Sequence, residues 1–186
     1  MKYKIKDIGR IMSIKSKIRT IENYPIEGVM FRDISSLISD SKGLKDTIDL
    51  LRKKFIDDDF NYIAGIESRG FILGSALAYS MKKGFVMIRK PGKLPGNVIE
   101  EEYQLEYGTD KIEIQSDAFP DKSKILLVDD LIATGGTIIA AISLIERLGG
   151  IISSTAFIVD LPDLGGSQKI KDLGYNFFAL TEFDGE

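Results

Sequence analysis

Lys124-Ile-Leu-Leu-Val-Asp129-Asp130-Leu-Ile-Ala-Thr134-Gly135-Gly136-Thr137 decides how this chain folds. Its apolar run, Ile125 to Val128, is short and bounded by polar residues, so it reads as a buried strand of an α/β sheet. Two carboxylates follow at the strand's carboxyl end, then a turn of small residues, then an apolar-periodic segment running to Leu148. Strand, acid pair, glycine turn and helix, in that order, suit a phosphorylated sugar. Glycine lets the backbone approach an anion. The free N–H groups and the dipole of the following helix favour one there. Thr134 and Thr137 add hydroxyl donors. Asp129 and Asp130 would repel a phosphate; they suit vicinal ribose hydroxyls, or a Mg²⁺ that bridges to phosphate. A plain surface turn needs neither adjacent acids nor threonines flanking the glycines.

Composition narrows the chemistry. A chain of 186 residues is one domain by size and can bury a full core. A net charge of −3 announces no nucleic-acid surface. The absence of cysteine excludes disulfides and thiolate chemistry. The absence of histidine excludes imidazole acid–base catalysis and Ser-His-Asp triads. Carboxylates, Lys, Arg, Tyr, backbone dipoles or a borrowed Mg²⁺ must do the work. No apolar run approaches the ~18 residues of a membrane span. The basic start, Met1 to Lys6, lacks the apolar core of a secretory signal. A soluble, cytoplasmic protein without membrane or nucleic-acid partners is expected.

Outward from the central stretch, strands and helices alternate. Apolar spacing predicts a helix over 5–21, stopped by Asn23-Tyr24-Pro25. Residues 28–34 read as a loop or short edge strand. A helix is expected over 42–56 with Ser41 as its cap and Leu44, Ile48, Leu51 and Phe55 inside. Strands follow at 62–66 and 85–88, separated by a helix over 70–82. Residues 103–114 alternate in part, as a two-stranded ribbon does. The helix after the central strand carries Ile138, Ile142 and Ile145 on one face and ends at Gly149-Gly150. A strand at 156–159, a short helix at 167–173 and a strand at 176–180 complete the pattern. The sheet is therefore expected to be mainly parallel, flanked by helices, with ligands at its carboxyl edge.

Three other stretches carry chemistry. Glu67-Ser68-Arg69-Gly70-Phe71 is a second strand–turn–helix junction. Its N–H groups, hydroxyl and guanidinium suit pyrophosphate, although Glu67 and Ser68 also read as simple helix caps. Arg89-Lys90-Pro91-Gly92-Lys93-Leu94-Pro95-Gly96 is a cationic loop, fit for an anion or for solvent. Glu106, flanked by Leu105 and Tyr107, would have a raised pKa if covered, which suits proton transfer in a chain without histidine. Spacing alone reads it equally as a solvent-facing hairpin residue.

Taken together, these stretches and Phe31-Arg32-Asp33-Ile34 resemble the motifs of the adenine phosphoribosyltransferases, in the same order. These are type I enzymes acting on 5-phosphoribosyl-1-pyrophosphate (PRPP). The resemblance runs from Pro25 to Leu161, and the cationic loop and Leu105-Glu106-Tyr107-Gly108 point to the adenine members. It implies one domain, 1–186, with a small N-terminal hood at about 1–35 and a core at about 36–186. It implies that adenine and PRPP give AMP and pyrophosphate with Mg²⁺ carried on the phosphates rather than held directly by the protein. By the same resemblance Ala133, Thr134, Gly135, Gly136 and Thr137 hold the 5-phosphate, and Asp129 and Asp130 the ribose hydroxyls. Glu67, Ser68, Arg69, Arg89, Lys90 and Lys93 serve the pyrophosphate. Arg89 reaches the neighbouring subunit, which implies a homodimer. Met30, Phe31, Arg32 and Leu161 surround adenine. Glu106 is the acid–base group, under a lid that carries Tyr103 and Tyr107. Rival readings are an enzyme for hypoxanthine, guanine or xanthine, a PRPP-sensing regulator, and a phosphoacceptor receiver domain.

Overall fold

The computed structural model describes residues 5–104 and 108–184. Helix α1 (Ile5–Ser16) leads into an antiparallel pair, β1 (Arg19–Glu22) and β2 (Met30–Asp33). The short α2 (Ser35–Ser39) and the longer α3 (Ser41–Phe55) follow. Then come β3 (Tyr62–Ile66), α4 (Arg69–Met81) and β4 (Gly84–Ile88). The ribbon β5 (Val98–Gln104) and β6 (Thr109–Gln115) interrupts the alternation. The chain closes with β7 (Lys124–Ile132), α5 (Gly136–Arg147), β8 (Ile151–Asp160), α6 (Gly166–Asp172) and β9 (Phe177–Glu182). Among the described residues no helix is long and apolar enough to cross a membrane.

The expected parallel sheet is present, in the order β4-β3-β7-β8-β9 with every pairing parallel. Ile125, Leu126, Leu127 and Val128 on β7 are each 0% exposed. Alternation sends Leu126 and Val128 to one face and Ile125 and Leu127 to the other. The first face packs with Leu50, Leu51 and Phe55 of α3 and Leu73 and Leu77 of α4. The second packs with Ile138, Ala141, Ile142 and Ile145 of α5. Helices cover both faces, and that is why the run is apolar without interruption.

Several boundaries differ from expectation, each for a local reason. The first helix stops at Ser16, not near Ile21, because Arg19 to Glu22 pair with Asp33 to Met30 as strands. A β-strand on an exposed ribbon can carry the same Ile spacing as a helix end. Asp40, not Ser41, caps α3, its Oδ1 accepting from the Gly43 N–H at 2.5 Å. The acidic segment Glu100 to Glu102 is part of strand β5, so the ribbon begins earlier than Tyr103. It docks on α5 through Arg147, which bonds the Glu100 carbonyl and the Glu101 carboxylate. The central strand runs on through both acids to Ile132 instead of ending before them. Helix α2 was not anticipated.

Candidate active site

That longer strand explains where the acids stand. β3 pairs with β7 only as far as Gly65 opposite Val128, whereas β8 stays paired with β7 to Ile132 opposite Asp160. Asp129 and Asp130 therefore lie just past the point where β3 turns away. From β3 the chain adds β4 on one side; from β7 it adds β8 and β9 on the other. Such a reversal of strand order opens a crevice at the carboxyl edge of an α/β sheet. Asp129 accepts a hydrogen bond from the Asp130 N–H at 3.0 Å. Nε of Arg69 sits 2.7 Å from Oδ2 of Asp130, close enough for an ion pair. Its direction does not make a hydrogen bond, so that buried oxygen has no donor among the described residues. Burial and then the charge of Asp130 push Asp129 well above the usual carboxylate range. Burial raises Asp130 too, against the pull of Arg69. Gly70 makes room for this pair, since a Cβ there would come within 2.7 Å of Asp129 Oδ1.

The glycine turn lies at the start of α5. Gly135 has φ 84°, a left-handed conformation that favours glycine, and no side chain caps the helix. Residues 133–138, with Asp129, Leu131 and Ile132, line a hollow of about 180 Å³. The turn is braced from behind. The Gly166 N–H donates to Ala133 O at 2.9 Å, and Lys169 Nζ donates to Thr134 O at 3.0 Å. A Cβ on Gly166 would collide with the Ala133 carbonyl. Gly166 and Lys169 were missed by sequence reasoning; the Gly165-Gly166 pair before a short helix was the available sign.

The cationic loop and the second turn share one organiser. Glu67 Oε2 accepts from Arg89 Nε at 2.9 Å and from the Lys90 N–H at 3.1 Å, and Oε1 accepts from Lys93. Burial works to raise its pKa, but the bonds from Lys93, Lys90 and Arg89 outweigh it and hold the group ionised. Glu67 thus spends its charge on the loop's cations rather than facing a ligand. Ser68 stands at the N-cap position of α4, but its side chain makes no cap bond. Arg89 also donates to Lys93 O at 3.0 Å, within its own chain. Glu113 secures the far side by accepting from the Gly92 N–H at 3.0 Å. Lys90 bonds the Tyr103 hydroxyl at 2.9 Å and pairs with Asp110 on β6.

A single cavity of about 360 Å³ collects eight of the expected residues: Glu67, Ser68, Arg69, Lys90, Tyr103, Asp129, Asp130 and Thr137. A larger hollow of about 470 Å³ between β5 and α5 touches Thr134 and Gly136 but neither acid, and we do not assign it to the chemistry.

Next to the cavity stands the β1–β2 ribbon. The Arg69 guanidinium lies 5.4 Å from the Phe31 ring centroid, and Tyr24 meets Phe31 edge-on at 5.1 Å. Arg69 thus spans from Phe31 to the acid pair. Met30 is half-buried on the same strand, and Leu161 is 8% exposed. Strand alternation turns Arg32 away from Phe31. Its side chain is buried against the C-terminal segment, not aimed with Phe31. Glu106 and Tyr107 lie outside the described residues.

Comparison with known proteins agrees with this geometry. The chain matches the family described as "Phosphoribosyl transferase domain" over residues 36–175. It is 57% identical to the adenine phosphoribosyltransferase of Chlorobium phaeobacteroides, over 94% of this chain and 100% of that one. It is equally identical to that of Chlorobaculum tepidum over the same shares. Among solved structures, adenine phosphoribosyltransferase from Thermoanaerobacter pseudethanolicus superposes with TM-score 0.90 at 43% identity, covering 93% of this chain and 99% of that one. The Saccharomyces cerevisiae enzyme, complexed with an imino-altritol bisphosphate and adenine, gives TM-score 0.86 at 35% identity, covering 94% and 99%.

Proposed function

The chain belongs to the adenine phosphoribosyltransferase family, and we propose that it joins adenine to PRPP, releasing AMP and pyrophosphate for purine salvage. One observation carries the reading: the crevice between β3 and β7 gathers an acid pair, a glycine–threonine turn and a cationic loop. Each matches one part of an activated sugar phosphate.

Residues 133–137 receive the 5-phosphate on the open N–H groups at the start of α5. Asp129 and Asp130 accept the ribose hydroxyls; the donor-less Oδ2 of Asp130 is ready to do so. The C1–oxygen bond to pyrophosphate breaks, the C1–N9 bond to adenine forms, and N9 loses its proton. Positive charge grows on the sugar in between, and buried carboxylates beside it lower that barrier. Arg69 and Lys90, with the Ser68 turn, meet the departing anion. Arg89 and Lys93 serve it through the loop shape that Glu67 sets. Phe31 and Leu161 flank the base, the backbone at Met30 and Arg32 helps to read it, and Glu106 exchanges the proton with adenine under a lid that Tyr103 and Tyr107 help to form.

The donor set fits Mg²⁺ as a passenger of the substrate. Among the described residues no group of three or more metal-ligating side chains comes together, while Asp129 and Asp130 can add a carboxylate to an ion already on phosphate. When bound, the ion neutralises charge on the pyrophosphate.

We read the enzyme as a cytoplasmic homodimer. Ile72 and Tyr79 on α4 and Met87 on the edge strand β4 are 43%, 89% and 41% exposed, an apolar surface suited to a second copy.

Incubating the protein with PRPP, Mg²⁺ and each purine in turn, and following pyrophosphate release, tests the reading. Release with adenine and not with hypoxanthine, guanine or xanthine is expected. Release with another purine alone reassigns the base, and release with none removes the proposal.

A further inference from the structure

Phe183 follows the last strand and belongs to no motif of the site, yet it touches the chain neighbours of both proposed base walls, Asp160 beside Leu161 and Arg32 beside Phe31. Its N–H donates to the Asp160 carbonyl at 3.1 Å, one residue before Leu161, whose own N–H is held by Ile132 O at 3.0 Å. Its ring packs against the core cluster that contains Leu161 and Ile34. The Arg32 guanidinium lies 4.7 Å from the ring centroid, and Lys15 Nζ reaches the same ring at 4.7 Å. Arg32, only 8% exposed, also donates to the Asp184 carbonyl at 3.1 Å and to Thr20 Oγ1 at 2.5 Å. Arg32 is the neighbour of Phe31 on β2. The ring therefore attracts two cations, the Arg32 guanidinium and the Lys15 ammonium, through its π system. An aliphatic side chain of similar bulk would attract neither.

We propose that Phe183 is a positioning residue for the purine, fixing the spacing between the hood wall at Phe31 and the opposite wall at Leu161. This rests on the reading of those walls given above. The backbone bond sets the Leu161 side, and the aromatic face sets the hood side. Neither contact reaches the acid pair or the 133–137 turn, so the effect belongs to adenine and not to PRPP.

Steady-state kinetics of the full chain, with adenine and PRPP varied separately in Mg²⁺, provide the test. Phe183→Leu keeps the backbone donor and loses the π face. It should raise the KM for adenine about tenfold while kcat and the KM for PRPP stay within about twofold. Phe183→Tyr restores the aromatic face and should return the wild-type KM. A residue that only supports the fold would lower the melting temperature and the active fraction without splitting the two KM values. An unchanged adenine KM, or two KM values rising together, overturns the proposal. Should Phe183→Leu not fold, Phe183→Met, which also keeps the backbone donor and lacks the aromatic face, is read by the same criterion. Wild-type protein that makes no AMP strikes the functional reading instead.

Discussion

Among single residues, Asp129 carries the sharpest conflict between stability and use. Its folded pKa lies above its unfolded one. In the window between them the folded state keeps the proton and the unfolded state does not, so stability falls as pH rises through it. Asp129→Asn should therefore raise the melting temperature and at the same time cut turnover by orders of magnitude. A variant that loses turnover and melts earlier would mean the acid is there for the fold. Glu67→Gln has the opposite character. It weakens the hold on Arg89 and Lys93, so the KM for PRPP should rise about tenfold, at ~1.4 kcal/mol per decade, with the KM for adenine unmoved. The acid pair and the turn could be read from sequence because their chemistry is local: adjacent acids, flanking threonines, glycines. Glu67 could be located but not understood. A carboxylate in a pyrophosphate turn makes sense only once the loop from Arg89 to Lys93 is folded against it.

At the level of elements, the parallel sheet was legible because β7 and its neighbours are buried on both faces and spell that in unbroken apolar runs. The N-terminal ribbon was not. Its four strand residues on β1 are all exposed, so they carry no alternation, and their one isoleucine, Ile21, extends the spacing of α1. What holds the ribbon is polar. Asp33 accepts from the Ser35 N–H at 2.8 Å and from Arg19 at 2.5 Å. The bonds from Ser35 first, then Arg19, bring its pKa down to about 2 against the opposing effect of burial. A lowered folded pKa gives stability that is complete above the unfolded value near 3.8 and is lost as pH falls through about 2. Asp33→Asn should cost about 1 kcal/mol at neutral pH, after allowing for the water that reaches Arg19. The melting-temperature gap to wild type should close as pH is lowered from 4 to 2 in this titration. A gap that persists at the acid end would show that the carboxylate's charge is not the source.

For the molecule as a whole, magnesium and self-association separate two kinds of dependence. A chelator should abolish turnover and leave the melting temperature unchanged, because the ion arrives with substrate and adds nothing to the empty fold. Sedimentation or light scattering should report a dimer, and Tyr79→Glu, on the 89% exposed face of α4, should shift it toward monomer. Neither property could be derived from the residues alone: both depend on how surfaces of distant elements come together.

The bond between Arg32 and Asp184 spans 152 positions. A ribosome thus has to deliver Asp184, 152 codons after Arg32, before the hood finds this anchor. On the proposed reading, a chain stalled after Leu180 would already hold the residues of the acid pair and the glycine turn but would leave the hood without this tether.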